Sequence, residues 1–198
     1  MSRRTPTYDE IYMRELISES FRLGPLNLGD KPDMISHDKM LGIEVAACIP
    51  EEKRKANSLI EKQYHSQLKE NESLWLYHYK KNKPQLKSGP DNKLYVKILK
   101  ERIATKIEKH KNYIQTNKFG LALYTEYVGT EEDRLKTYQH IFKKFRSDLD
   151  FLIIDVTNSC TIIYIDEQQT KVFDYSKIQF DIAEISYEIY QHYLEKEK

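Results

Sequence analysis

Apolar residues recur at helical spacing over residues 8–23, where Ile11, Leu16, Ile17 and Phe21 share one face and Gly24-Pro25 ends the run. Two turn signals follow within 25–35, around a brief extended piece. The stretch Leu41-Gly42-Ile43-Glu44-Val45-Ala46-Ala47-Cys48-Ile49 is then apolar, partly β-branched and bounded by Gly and Pro, which predicts a buried strand with a carboxylate at its middle. Pro50-Glu51-Glu52 opens a predicted helix to about residue 69, with Pro and acids suited to a first turn. Residues 72–79 are aromatic and fit either a strand or a helix. Residues 80–92 predict a loop. Val96, Leu99, Ile103, Ile107 and Ile114 then form a stripe along a long helix, opened at Asp91 or Asn92 and running to about Thr116.

Phe119–Val128 predicts a strand. Thr130, three residues before Asp133, caps a helix to about Arg146. Residues 151–155 predict a buried strand, 161–165 and 171–173 a hairpin, and 178–194 a closing helix. The alternation predicts one mixed α/β domain over residues 1–198, with a helical and loop insertion at about 50–90.

Composition bounds what this domain does. The chain has 198 residues, 39% of them hydrophobic, with 15 Tyr and 7 Phe, enough for one buried core. No apolar run approaches the roughly 20 residues of a membrane helix, and no apolar run follows the N-terminus as in a signal peptide, so the expected compartment is the cytoplasm. Cys48 and Cys160 lie far apart in apolar stretches and predict buried thiols. The six histidines lack zinc-ligand spacing, and the six scattered glycines form no phosphate loop.

The formal net charge is +1, an average over three unlike segments. Residues 80–118 carry a net +9, against −2 for residues 1–79 and −6 for residues 119–198. Lysines such as Lys80, Lys81, Lys83, Lys97, Lys100 and Lys109 make this stretch a candidate footprint for a nucleic-acid backbone, because paired cations release condensed counterions. Solvated lysines on an exposed helix face are an equally good reading of the charge alone.

Two acids occupy unusual places. Asp33 follows Pro32 at the entry to Met34-Ile35, and Glu44 interrupts an apolar strand. A buried carboxylate is costly unless paired, protonated or bound to metal. If the two segments pair as antiparallel strands joined by Ser36–Leu41, the carboxylates meet and offer hard oxygen ligands to Mg²⁺ or Mn²⁺. From spacing alone, a solvent-facing Glu44 and a turn residue Asp33 fit better.

Pro32-Asp33 followed by Gly42-Ile43-Glu44-Val45-Ala46 resembles the PD-(D/E)XK nuclease superfamily. A helix precedes the motif, and a long helix containing Lys106-Ile107-Glu108-Lys109 and the strand from Phe119 follow it, similar to that family's core order of helix, three strands, helix, strand. The resemblance spans roughly residues 8–128, with 129–198 as a peripheral extension. It implies a restriction-endonuclease-like core, a central mixed sheet flanked by helices, and a Mg²⁺- or Mn²⁺-dependent endonuclease acting on DNA. Asp33 and Glu44 would then hold the metal, with Glu19 (or Glu15) of the first helix as a further carboxylate. Members often work as homodimers, an option this resemblance extends to the chain.

The family's lysine two positions after the second acid is Ala46 here. Some members take that lysine from a nearby helix, and the candidates are Lys62, Lys106 and Lys109. The alternative implied by Ala46 is a catalytically degenerate nuclease fold that binds nucleic acid or a protein partner without cleaving.

Overall fold

The computed structural model describes residues 5–50, 77–80, 83–86, 92–111, 113, 116–126 and 129–196. The predicted helix over 50–69, Lys62 and Lys81 lie outside them. Helix α1 (Tyr8–Phe21) opens on a capping box: the Glu10 N–H donates to Thr7 Oγ1 at 3.3 Å and the Thr7 N–H to Glu10 Oε2 at 2.8 Å. Three antiparallel strands follow, β1 (Leu26–Leu28), β2 (Met34–Ser36) and β3 (Leu41–Ala47). Strands β4 (Tyr77–Lys80) and β5 (Lys83–Leu86) form a separate antiparallel pair.

Helix α2 (Asn92–His110) leads into β6 (Lys118–Thr125), which pairs parallel to β3. Helix α3 (Glu131–Phe145) starts as predicted, with Thr130 Oγ1 accepting from the Asp133 N–H at 3.2 Å. Strand β7 (Phe151–Val156) lies parallel to β6. Strands β8 (Thr161–Asp166) and β9 (Thr170–Asp174) complete an antiparallel edge, and α4 (Gln179–Glu195) closes the chain. The result is a seven-stranded mixed sheet in the order β1-β2-β3-β6-β7-β8-β9, flanked by four helices.

Strand alternation sorts the core into two layers. On one face, Met13, Leu16 and Ile17 of α1 and Ile182 of α4 pack with Ile43, Val45, Ala122 and Ile153. On the other, Leu99 and Ile103 of α2 and Tyr138, Ile141 and Phe142 of α3 pack with Leu121, Leu123, Leu152 and Ile154. Both clusters draw on residues either side of 128, so 129–198 is not peripheral: it supplies β7 to the sheet interior and part of each layer.

Three local readings change. Residues 80–92, predicted as a loop, include the paired strand β5, whose Pro84 is tolerated on a two-stranded ribbon. Helix α2 ends at His110 rather than near Thr116, with no Gly or Pro marking the stop. Strand β6 ends at Thr125, short of Val128.

Gly120 pairs with Phe151, whose ring covers the glycine: a Cβ there would stand 2.2 Å from the Phe151 ring. Phe151 is buried and stacked on Tyr164 with ring centroids 5.7 Å apart, so it has little room to yield. Gly120→Ala is expected to lower the free energy of unfolding by about 1–3 kcal/mol in a urea titration. An unchanged midpoint would show that the ring gives way freely.

Candidate active site

The β2–β3 register brings the two carboxylates together. Met34 faces Ile43 and Ile35 faces Gly42, so Asp33 enters the hairpin beside Glu44. The Val45 N–H donates to Asp33 Oδ2 at 2.8 Å and fixes that side chain. Gly42 makes the close approach possible. A Cβ there would meet Thr116 Oγ1 at 2.9 Å and the Pro32 ring at 3.0 Å, so Pro32 seats against β3 only because position 42 has no side chain.

Ile43 and Val45 point to the α1 layer, so Glu44 points to the α2 layer, alongside its β6 partner Leu121. Both acids are buried: Glu44 retains 1% of its surface and Asp33 5%. Glu44 is thus not the solvent-facing residue that spacing alone favoured, and Asp33, read as a turn residue, is buried just before β2.

The cation comes from α2. Its inward stripe, Tyr95, Leu99 and Ile103, continues by helical phase to Lys106. The Lys106 ammonium donates to Glu44 Oε2 at 2.5 Å and reaches Asp33 Oδ2 at 3.4 Å. One lysine thus bridges both acids, from the helix rather than from position 46. Ala46 lies on the same face of β3 as Glu44 and packs against the apolar α2–α3 cluster.

Burial pushes the Glu44 carboxyl above its usual range, with the neighbouring Asp33 adding to the rise and Lys106 opposing it. Burial alone would lower Lys106, but the two carboxylates outweigh it and hold the ammonium above its ordinary value. Glu44 Oε1 is buried and makes no hydrogen bond.

The aromatic end of α2 adjoins the site. The His110 ring stacks on Phe119 at a centroid distance of 3.4 Å and meets Tyr113 edge-on at 5.8 Å. Burial lowers the His110 imidazole, which favours its neutral form. The Tyr113 phenol is raised by its own burial and then by the negative charge of Glu44.

The remaining candidates stand apart. Glu19 is exposed on α1, and α1 packs on the opposite face of the sheet from Glu44, so helix phase and layer both keep it from the pair. Glu15 is engaged by Arg14 through Nε at 2.6 Å. Lys109 is exposed, three positions past Lys106. Lys97 is exposed and pairs with Glu101 at 3.8 Å, and Lys100 is half-buried; both lie on α2. Lys80 and Lys83 fall in β4 and β5. Among the described residues, no cluster of three or more His, Cys, Asp or Glu side chains is arranged to hold a metal ion, so the acidic pair stands alone. No helix among them is long and apolar enough to cross a membrane.

A further buried acid is Asp155, 1% exposed within β7, where Tyr175 donates its hydroxyl to Asp155 Oδ1 at 2.7 Å. Its signal was the one that marked Glu44, an acid inside an apolar β-branched run (Phe-Leu-Ile-Ile-Asp-Val).

Compared with protein-family models, with curated proteins and with solved structures, the chain finds no match.

Proposed function

We propose that this protein is a metal-dependent endonuclease that hydrolyses phosphodiester bonds in DNA, built on a restriction-endonuclease-like core of the PD-(D/E)XK type. The observation that carries the reading is Lys106, which supplies from α2 the ammonium missing at position 46 and sets it against both Asp33 and Glu44. The order α1, three antiparallel strands, α2 and a parallel β6 supports the same reading.

The donor set suits Mg²⁺ or Mn²⁺: two carboxylates on neighbouring strands, with Glu44 Oε1 buried and without a hydrogen-bond partner. Such an ion, held by Asp33 and Glu44, would polarise the scissile phosphate and favour attack by water. The chain's own contribution is positional. The Val45 N–H aims Asp33, and Glu44 is held rigid in a strand between β2 and β6. Lys106 is placed to donate to a phosphate oxygen as negative charge grows on it. The lysines of α2 would hold the backbone of the substrate on that helix's side of the sheet.

A second reading is a catalytically degenerate nuclease fold that binds nucleic acid or a protein partner without cleaving. It is favoured by Ala46 and by the closed arrangement in which Lys106 already bridges both acids. A plasmid-nicking assay separates the two. The expected result is nicking in Mg²⁺ or Mn²⁺, none in a chelator, and none from Asp33→Ala or Glu44→Ala. Native protein that neither nicks DNA nor binds either divalent ion would exclude the enzyme.

A further inference from the structure

A groove of about 540 Å³ lies at the β1 edge of the sheet, between the β2–β3 turn, the start of α1 and the end of α4. It is lined by Lys39 and His37 of the turn, by Arg14, which is paired with Glu15, and by Asn27, Asp30 and Tyr193. The turn is built to display two of these. Ser36 and Asp38 spend their side chains on the turn itself, Ser36 donating to Asp38 Oδ1 at 2.5 Å and Asp38 accepting the Met40 N–H at 3.0 Å. His37 and Lys39 are left exposed between them, and Lys39 holds a left-handed conformation at φ 59°.

The groove also shares a loop with the acidic pair. Gly29, in its wall, donates its N–H to the Asp33 carbonyl at 2.9 Å, so one short segment lines the groove and carries a metal-side acid.

We infer that this groove binds one unpaired nucleotide of the substrate strand, so that the nuclease acts where its nucleic acid is single-stranded beside the scissile phosphate. The inference rests on the nuclease reading for the word substrate, but the site stands on its own chemistry. A concavity of this volume holds a nucleotide-sized ligand. The Lys39 ammonium suits its phosphate, the tyrosine ring offers a stacking face for any base, and Asn27 and Asp30 can bond base edges or a sugar hydroxyl. A base stacked inside a duplex cannot enter such a recess without being unpaired, which selects single-stranded DNA over blunt duplex.

The test is fluorescence anisotropy with the full chain in a chelator, using a short single-stranded DNA oligonucleotide and a blunt duplex of the same sequence. The native protein is expected to bind the single strand about tenfold more tightly, in line with the 1–3 kcal/mol that stacking contributes per base. Tyr193→Ala and Lys39→Glu should each erase that preference, and Tyr193→Phe should keep it. Equal affinity for the two probes, or a preference that survives Tyr193→Ala and Lys39→Glu, overturns the inference. Because no divalent ion is present, failure here leaves the nicking result untouched, and failure of nicking leaves this binding preference standing.

Discussion

Lys106→Met is expected to abolish cleavage and to cost the fold about 3–5 kcal/mol at pH 8. The rate effect follows from removing the ammonium that α2 sets beside the acidic pair, since loss of a single preorganised donor typically costs 10²–10³-fold. The stability effect follows from burial. Breaking a buried ion pair by removing one partner leaves an uncompensated charge, and here two carboxylates, 1% and 5% exposed, would face each other without a cation. Glu44, already raised by burial and Asp33, would rise further once the opposing lysine is gone.

The sign of the pH dependence is fixed by that direction. A carboxyl raised in the folded state binds its proton more tightly there than in the unfolded chain, so stability falls as pH rises from the usual carboxylate range to the folded value. The variant should therefore recover much of its loss at pH 5. The native Lys106, raised in the fold, acts at the other end: its contribution is present below the ordinary lysine value of 10.5 and fades as pH climbs past it. Urea titrations at pH 5 and pH 8, with the exposed Lys109→Met as a control near native stability, read this directly. A Lys106→Met protein as stable as the native one at pH 8 would show that the bridge is not an internal charge balance.

Asp155→Asn should raise stability at pH 8 by about 1–3 kcal/mol and flatten its pH dependence. Burial pushes the Asp155 carboxyl from 3.8 up to about 7, against a hydrogen bond from Tyr175 that lowers it, and Asp155 Oδ2 makes no hydrogen bond. With the folded value above the unfolded one, the native protein loses stability as pH rises from about 4 to 7. A shift of this size corresponds to a loss on the order of 4 kcal/mol from this one group. Asparagine cannot ionise but keeps an acceptor for Tyr175, and its buried amide returns part of the gain as an unmade hydrogen bond. Glu44 titrates with the same sign, so the readout is the difference between native and variant across pH 5 to 8. Identical slopes would overturn the assignment.

The two carboxylates stood out in sequence as candidates, though spacing alone favoured an exposed Glu44 and a turn residue Asp33. An acid inside an apolar strand is costly wherever the chain goes, and the short β2–β3 connection sets Asp33, just before β2, beside Glu44. The lysine was legible only as a set of three. Lys106 and Lys109 differ by less than one helical turn, and what separates them is which face of α2 meets the sheet, a matter of how Leu99 and Ile103 dock on Leu121. Glu19 failed for the same reason in reverse: α1 is amphipathic as read, but nothing local says which side of the sheet it covers. Residues 129–198 looked like an appendage because their strands follow the motif in sequence. The parallel β6–β7 pairing puts β7 in the sheet interior, and parallel partners are joined by crossovers that leave no mark at the pairing residues.

The bridge from Lys106 to Asp33 spans 73 positions of chain, yet the contact is held by α2 resting on β6 and not by the path between them. Closure entropy rises slowly with length, by about 0.6 kcal/mol for each doubling of a flexible loop. By that measure, the length of chain between the buried Cys48 and α2 bears only weakly on the cost of bringing the three charged groups together. With its cation drawn from α2 and an alanine at position 46, the charged trio is assembled by the packing of the sheet rather than by neighbours in sequence.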